Sequence, residues 1–312
     1  MTFPALRNLS AFLVLSIFVS CAGAVAQDVR VETQQNFNQR NQGTLDLRPP
    51  PAGVTDPELG DISLVSRQPR PEMFTFSTSQ SINFTSNAFL VPNNEQSAFF
   101  WNGRFDASYV PYATRDFTPR ITFEQNLFRY DHFSRLDFDS QSLQLDVKYD
   151  LNRNDTWFVT GSYALARLYS QHPSIGEFYK FGLLSGSITH LLQLRQAPVY
   201  LGITGGTYWR HGEPSSSDRV ALYLNGVAIY DVRENVRLTG FVRPELQFYT
   251  NDPVRSSRTD FNLTAGATLG WTPVQYLTVA ATASYIGNFS NLGARRYDVA
   301  MPSLIVAALF AF

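Results

Sequence analysis

Cysteine is almost missing from this sequence: Cys21 is the only one in 312 residues. It lies in MTFPALRNLSAFLVLSIFVSCAGAVAQ, where one cation, Arg7, precedes an apolar run from Ala11 to Val19, and small residues lead to Ala26. That is the layout of a secretory signal at 1–26, cleaved after Ala26. The alternative is a lipoprotein reading of Phe18-Val19-Ser20-Cys21. With 1–26 removed no cysteine is left, which excludes a disulfide framework and a thiolate metal site.

Charge is scarce as well. Asp, Glu, Lys and Arg make up 16% of the chain, against about 25% in soluble domains. Lysine occurs twice, at Lys148 and Lys180, the net charge is −1, and no basic block marks a nucleic-acid partner. Long apolar runs are missing too: nothing after the signal has 18 consecutive apolar residues, so a spanning helix is excluded. Export, few charges and 14% aromatic residues then leave closed sheet as the way to live in a membrane.

Two materials follow the signal. Residues 27–72 hold QQNFNQRNQG and RPPPAGVTDPELGD, rich in Asn and Gln and then in Pro and Gly, with no useful period. This stretch reads as a mostly disordered periplasmic extension, with Ile62–Val65 as one short candidate strand. From 73 to 312 a period of two takes over. In Phe261–Trp271 the odd positions are Phe, Leu, Ala, Ala, Leu and Trp, and the even ones Asn, Thr, Gly, Thr and Gly. Eleven such residues, tilted by about 45°, cross the hydrocarbon layer.

Twelve stretches of this kind are predicted, at 73–84, 98–110, 119–129, 141–151, 156–168, 178–192, 198–210, 219–231, 235–249, 260–272, 275–288 and 298–312. The fold class is therefore all-β, a twelve-stranded antiparallel transmembrane β-barrel. An even count puts both ends on the periplasmic side. The connections on that side are short, with 111–118 as the exception, and the opposite set is longer and more polar. Trp101, Tyr149, Trp157, Tyr208, Trp209, Tyr230, Tyr249, Trp271 and Tyr276 lie near strand ends, where aromatic girdles belong.

The chain ends SLIVAALFAF, uncharged and prone to edge pairing. Phe310 and Phe312 share a face with Leu304, Val306 and Ala308, and a terminal aromatic on such a strand resembles the C-terminal assembly signal of bacterial outer-membrane barrels. That resemblance implies recognition by the barrel-assembly machinery, contact with outer-membrane lipid and lipopolysaccharide, and residence in a Gram-negative envelope with the N-terminus periplasmic. Ser81–Leu90, SINFTSNAFL, is similar to the opening strand of putative porin-type barrels, with Ser86 where that family often has an acid.

Alternation assigns a charged wall to the lumen: Arg104 and Asp106; Arg120 and Glu124; Gln144, Asp146 and Lys148; Arg237, Arg243 and Glu245. Gly202, Thr204, Gly206, Thr264, Gly266 and Thr268 make a low wall. Interleaved charge suits a constriction that passes small polar or oligosaccharide-type solutes. It equally suits side chains that neutralise one another in a filled barrel acting as an anchor or adhesion protein. Twelve strands lie between a filled barrel and an open pore.

An enzyme is the third reading. His132, His172 and His211 fall in predicted outer loops, yet the His-x-Ser-Asn-Gly segment of outer-membrane phospholipases is absent. An autotransporter is not expected either, because 27–72 offers no passenger and no evident pore helix. No phosphate loop, paired-His spacing or calcium loop occurs, and no cofactor or metal is expected.

Overall fold

A strand with lipid on one face and an enclosed interior on the other must alternate, and the strands of this chain do so. The computed structural model describes residues 29–40 and 72–312, apart from 115, 153–155, 173–174 and 195–197. The signal and the candidate strand at 62–65 lie outside the described residues. The elements are a helix, α1 (29–40), and twelve strands: β1 Phe74–Thr85, β2 Ala98–Tyr109, β3 Phe117–Tyr130, β4 Phe138–Asp150, β5 Trp157–Ser170, β6 Glu177–Gln193, β7 Val199–Glu213, β8 Arg219–Arg233, β9 Val236–Tyr249, β10 Thr259–Val274, β11 Leu277–Ser290 and β12 Tyr297–Ala311.

Each strand pairs antiparallel with the next, and β1 pairs with β12, closing the barrel. At the seam Thr75 stands opposite Ala311 and Asn83 opposite Ser303. Phe74 and Phe312 exchange both backbone hydrogen bonds, at 3.0 and 2.9 Å. The apolar C-terminal strand is thus a sealed seam, and the aggregation-prone edge seen in the sequence does not exist in the closed sheet.

The two rims differ as expected. The proximal rim carries Phe74 and Phe312 and the shorter connections, only two residues at 234–235 and at 275–276. The 110–116 connection is the longest there. At the distal rim the loops 86–97, 131–137, 171–176, 214–218, 250–258 and 291–296 include three 3-10 turns, Ser134–Leu136, Ser215–Ser217 and Gly293–Arg295.

Exposure follows the alternation. Leu143, Leu145, Val147 and Tyr149 on β4 are exposed, and Gln144, Asp146 and Lys148 between them are half-buried. Trp101, Trp157, Trp209, Trp271, Tyr149, Tyr230 and Tyr276 stand on the outer surface. Tyr208 and Tyr249 do not: both are buried in the lumen, which corrects the girdle assignment. Tyr249 shares its face with Arg243, Glu245 and Gln247, and Tyr208 shares its face with Gly206, so parity outranks nearness to a strand end.

The low wall is also not a groove. An added Cβ on Gly206 would meet the Tyr223 ring at 2.6 Å, and one on Gly266 would meet the Phe241 ring at 2.7 Å and the Ala283 carbonyl at 2.6 Å. These glycines are sockets for aromatic rings of the neighbouring strands, as in aromatic rescue of glycine in sheets.

The structure departs most from the sequence reading at α1. Residues 29–40, VRVETQQNFNQR, form a helix inside the barrel within the stretch read as an extension, where no pore helix was expected. Its surroundings explain why no apolar stripe advertised it. Val29, Val31 and Phe37 lie on an apolar patch of the lumen wall built by Phe100, Phe128, Phe138, Leu136, Leu168, Ile286, Val299 and Met301. The remaining faces meet a polar wall. A twelve-residue helix is marginal in water; this one is held by a shell of barrel around it.

Two expectations test this architecture. Gly266→Ala forces the Phe241 ring or the β11 backbone to move and should destabilise by about 1–3 kcal/mol, read as a lower midpoint of the heat-induced gel shift; an unchanged midpoint would show the socket to be slack. At the distal rim, burial would raise the Asp252 carboxyl, but the Val254 and Arg255 amides and the Arg258 guanidinium together hold it below the ordinary range. Its contribution is present above the ordinary Asp range, about pH 3.9, and is lost as pH falls below it. Protease cleavage within 250–258 should therefore rise in acid, and Asp252→Asn should remove that dependence.

Candidate functional site in the lumen

Beta geometry places residues i and i+2 on one face about 6.5–7 Å apart, close enough for long side chains to meet. The lumen uses this repeatedly. On β2 the Arg104 Nε lies 3.2 Å from Asp106 Oδ1, and across the ladder its Nη2 lies 2.8 Å from Glu124 Oε2 on β3. Asn126 donates to Glu124 at 2.5 Å, and Gln144 donates to Asp146 at 2.6 Å. Lys148 pairs with Asp150 at 2.8 Å and lies over the Phe158 ring.

These residues form a patch on β2–β4. Arg120 stands opposite Asp146 in register, and Asp106 opposite Glu124. Seven of the ten predicted lumen residues are therefore neighbours on one wall: Arg104, Asp106, Arg120, Glu124, Gln144, Asp146 and Lys148. The Arg104 and Glu124 side chains keep about a fifth of their surface accessible, at 21% and 20%. Water reaches this wall.

The other three stand apart. Arg237 sits at the proximal rim and pairs with Asp231 at 2.6 Å. Arg243 and Glu245 lie on β9 in a fully enclosed network. Arg243 Nη2 is 3.1 Å from Glu245 Oε2, with side-chain exposures of 6% and 0%, and its guanidinium lies 3.9 Å from the Tyr223 ring centroid. Tyr208 and Gln247 donate to the other Glu245 oxygen at 2.5 and 2.8 Å. A pair this enclosed is structural glue for the wall: removing one partner strands a buried charge.

The sequence reading missed the residues that join α1 to the wall. Arg219, fully buried at the start of β8, donates to Tyr249 Oη at 2.8 Å and to Glu32 at 3.4 Å. Arg210 reaches Gln35 at 3.4 Å and lies over the Phe181 ring. Asn36 donates to Tyr297 Oη at 3.2 Å, Thr264 donates to Gln39 at 3.3 Å, and Arg40 donates to Asn83 at 3.1 Å. Phe37 meets Phe128 edge-on, with ring centroids 5.3 Å apart. The lumen residues assigned from alternation included none of Asn83, Arg219 and Tyr249, and only α1 reveals what they face.

The helix is buried almost all round. Glu32, Gln35 and Asn38, spaced three apart on one side, are its only half-buried positions. The lumen thus divides into a proximal half with a wet, charged wall and a distal half occupied by α1. Among the described residues no cluster of His, Cys, Asp or Glu could hold a metal ion. His132 is paired with its neighbour Asp131 at 2.6 Å and is highly exposed, while His211 lies on β7, not in a loop, against the Trp209 ring.

No family model and no curated protein matches the chain. Solved structures do. The COG4313 outer membrane channel from Pseudomonas putida F1 is similar at a TM-score of 0.56 and 12% identity, over 85% of this chain and 100% of that one. The translocator domain of the autotransporter NalP from Neisseria meningitidis follows at 0.48 and 11%, over 78% and 90%. The KdgM porin in complex with disordered oligogalacturonate stands at 0.40 and 8%, over 76% and 99%. The first likeness gives the fold: this is a barrel of the outer-membrane kind.

The two charged clusters should respond differently to truncation. Arg104→Ala leaves Asp106 and Glu124 on a wet wall where water can solvate them, so the heat-modification midpoint should change little. Arg243→Ala strands Glu245 and should cost about 3–5 kcal/mol, read as a lowered heat-modification midpoint. Equal midpoints for the two variants would contradict the division of the lumen.

Proposed function

We propose that the chain forms a porin-like outer-membrane channel for small polar or oligosaccharide-type solutes and acts without catalysis. The observation that carries this reading is the wet proximal wall around Arg104, Asp106 and Glu124, in a fold matched over the whole length of a known outer-membrane channel. Opposed charges on one wall give a transverse field, and guanidinium forks suit anionic or hydroxyl-rich solutes. In this reading the proximal rim faces the periplasm and the longer distal loops face outward. Outer-membrane lipid and lipopolysaccharide surround the exposed aromatic belts, and the assembly machinery reads the strand ending in Phe310 and Phe312, both exposed.

A second reading, a non-conducting anchor, draws support from α1, whose burial fills the distal half. Conductance separates the two. In planar bilayers the whole protein should give small, steady current steps, and a variant lacking 27–41 should give steps several-fold larger. Silence from both, with each shown to be folded by heat modification, would sink the channel and leave the anchor.

A further inference from the structure

The contacts of α1 also fix its direction. Arg30 donates to the Arg135 carbonyl in the distal 131–137 connection and lies over Phe178 at the start of β6. Two residues on, Glu32 meets Arg219, the first residue of β8. Asn36 meets Tyr297, which opens β12 at the same rim. By Arg40 the contact is Ser303, halfway down β12. Arg30, Glu32 and Asn36 thus meet residues of the distal rim, whereas Gln39 meets Thr264 within β10 and Arg40 meets Ser303 within β12, so the C-terminal end of α1 lies deeper in the lumen than its N-terminal end.

We infer that α1 is threaded through the barrel with its N-terminal end at the distal mouth, on the cell surface, and its C-terminal end pointing to the periplasmic rim where β1 begins. Twelve helical residues span about 18 Å of that path. The helix is a fixture, because leaving would expose the apolar patch around Phe100, Phe128 and Phe138 in a water-filled lumen. Threading therefore holds the Val29 end of α1 at the outer mouth of the barrel. The statement of sidedness rests on the outer-membrane orientation proposed above; the threading itself does not.

The mature chain lacks cysteine, so both parts can be tested in the whole protein. Gln39→Cys with Thr264→Cys, whose native side chains touch at 3.3 Å, should cross-link in cells through a disulfide or a short bis-maleimide; absence of any cross-link in a folded sample overturns the seating. An epitope placed before Val29 should then be stained by antibody on intact cells as strongly as one in the 250–258 loop, and one at Glu234 only after permeabilisation. Staining of the loop but not of the Val29 epitope overturns the threading. Staining at Glu234 but not in the loop overturns the orientation instead.

Discussion

In hydrocarbon a peptide N–H has no partner except another peptide, and each one left alone costs several kcal/mol. Everything in this chain follows from that demand. The sheet must close, so Phe312 returns to Phe74 and each supplies the other's backbone bonds. Closure at twelve strands fixes an interior wider than the eight-stranded one that wall side chains just fill. Alternation then hands half of every strand to that interior.

The interior is resolved in two ways along its axis. Near the proximal rim, charge is balanced on the wall itself and water stays. Near the distal rim, Phe100, Phe128, Phe138, Leu168, Ile286, Val299 and Met301 face inward, a choice that makes sense only beneath a cover. The cover is α1, which meets them with Val29, Val31 and Phe37 and turns Glu32, Gln35 and Gln39 to the polar wall of β7–β10. The lumen of this barrel therefore contains a small protein core, laid out inside a membrane protein whose outer surface is the apolar one.

The barrel was legible because its signal is repeated. Leu263 and Leu269 alternate with Asn262, Thr264 and Thr268 over a span that nothing but a strand explains, and eleven other segments say the same. Lumen residues such as Arg104 and Glu124 followed from parity alone. Tyr208 and Tyr249 were misplaced because an aromatic near a strand end suggested the interface, although their own neighbours Gly206 and Gln247 pointed inward. The glycine sockets were invisible, since a small residue in sequence does not say whether its space is empty or taken by the Tyr223 or Phe241 ring. The helix was hidden for a deeper reason: VRVETQQNFNQR carries three apolar residues and no stripe, because its environment is the mixed wall of a lumen and not the single interface between a core and water.

The pairing of charges two residues apart along the chain has a further meaning. Arg104 with Asp106, Lys148 with Asp150, Arg243 with Glu245 and Arg258 with Asp260 each lie two residues apart. None of these couples depends on which strand lies alongside. Each of these ions therefore has a counter-ion on its own stretch of chain, whichever strand lies beside it in the closed sheet.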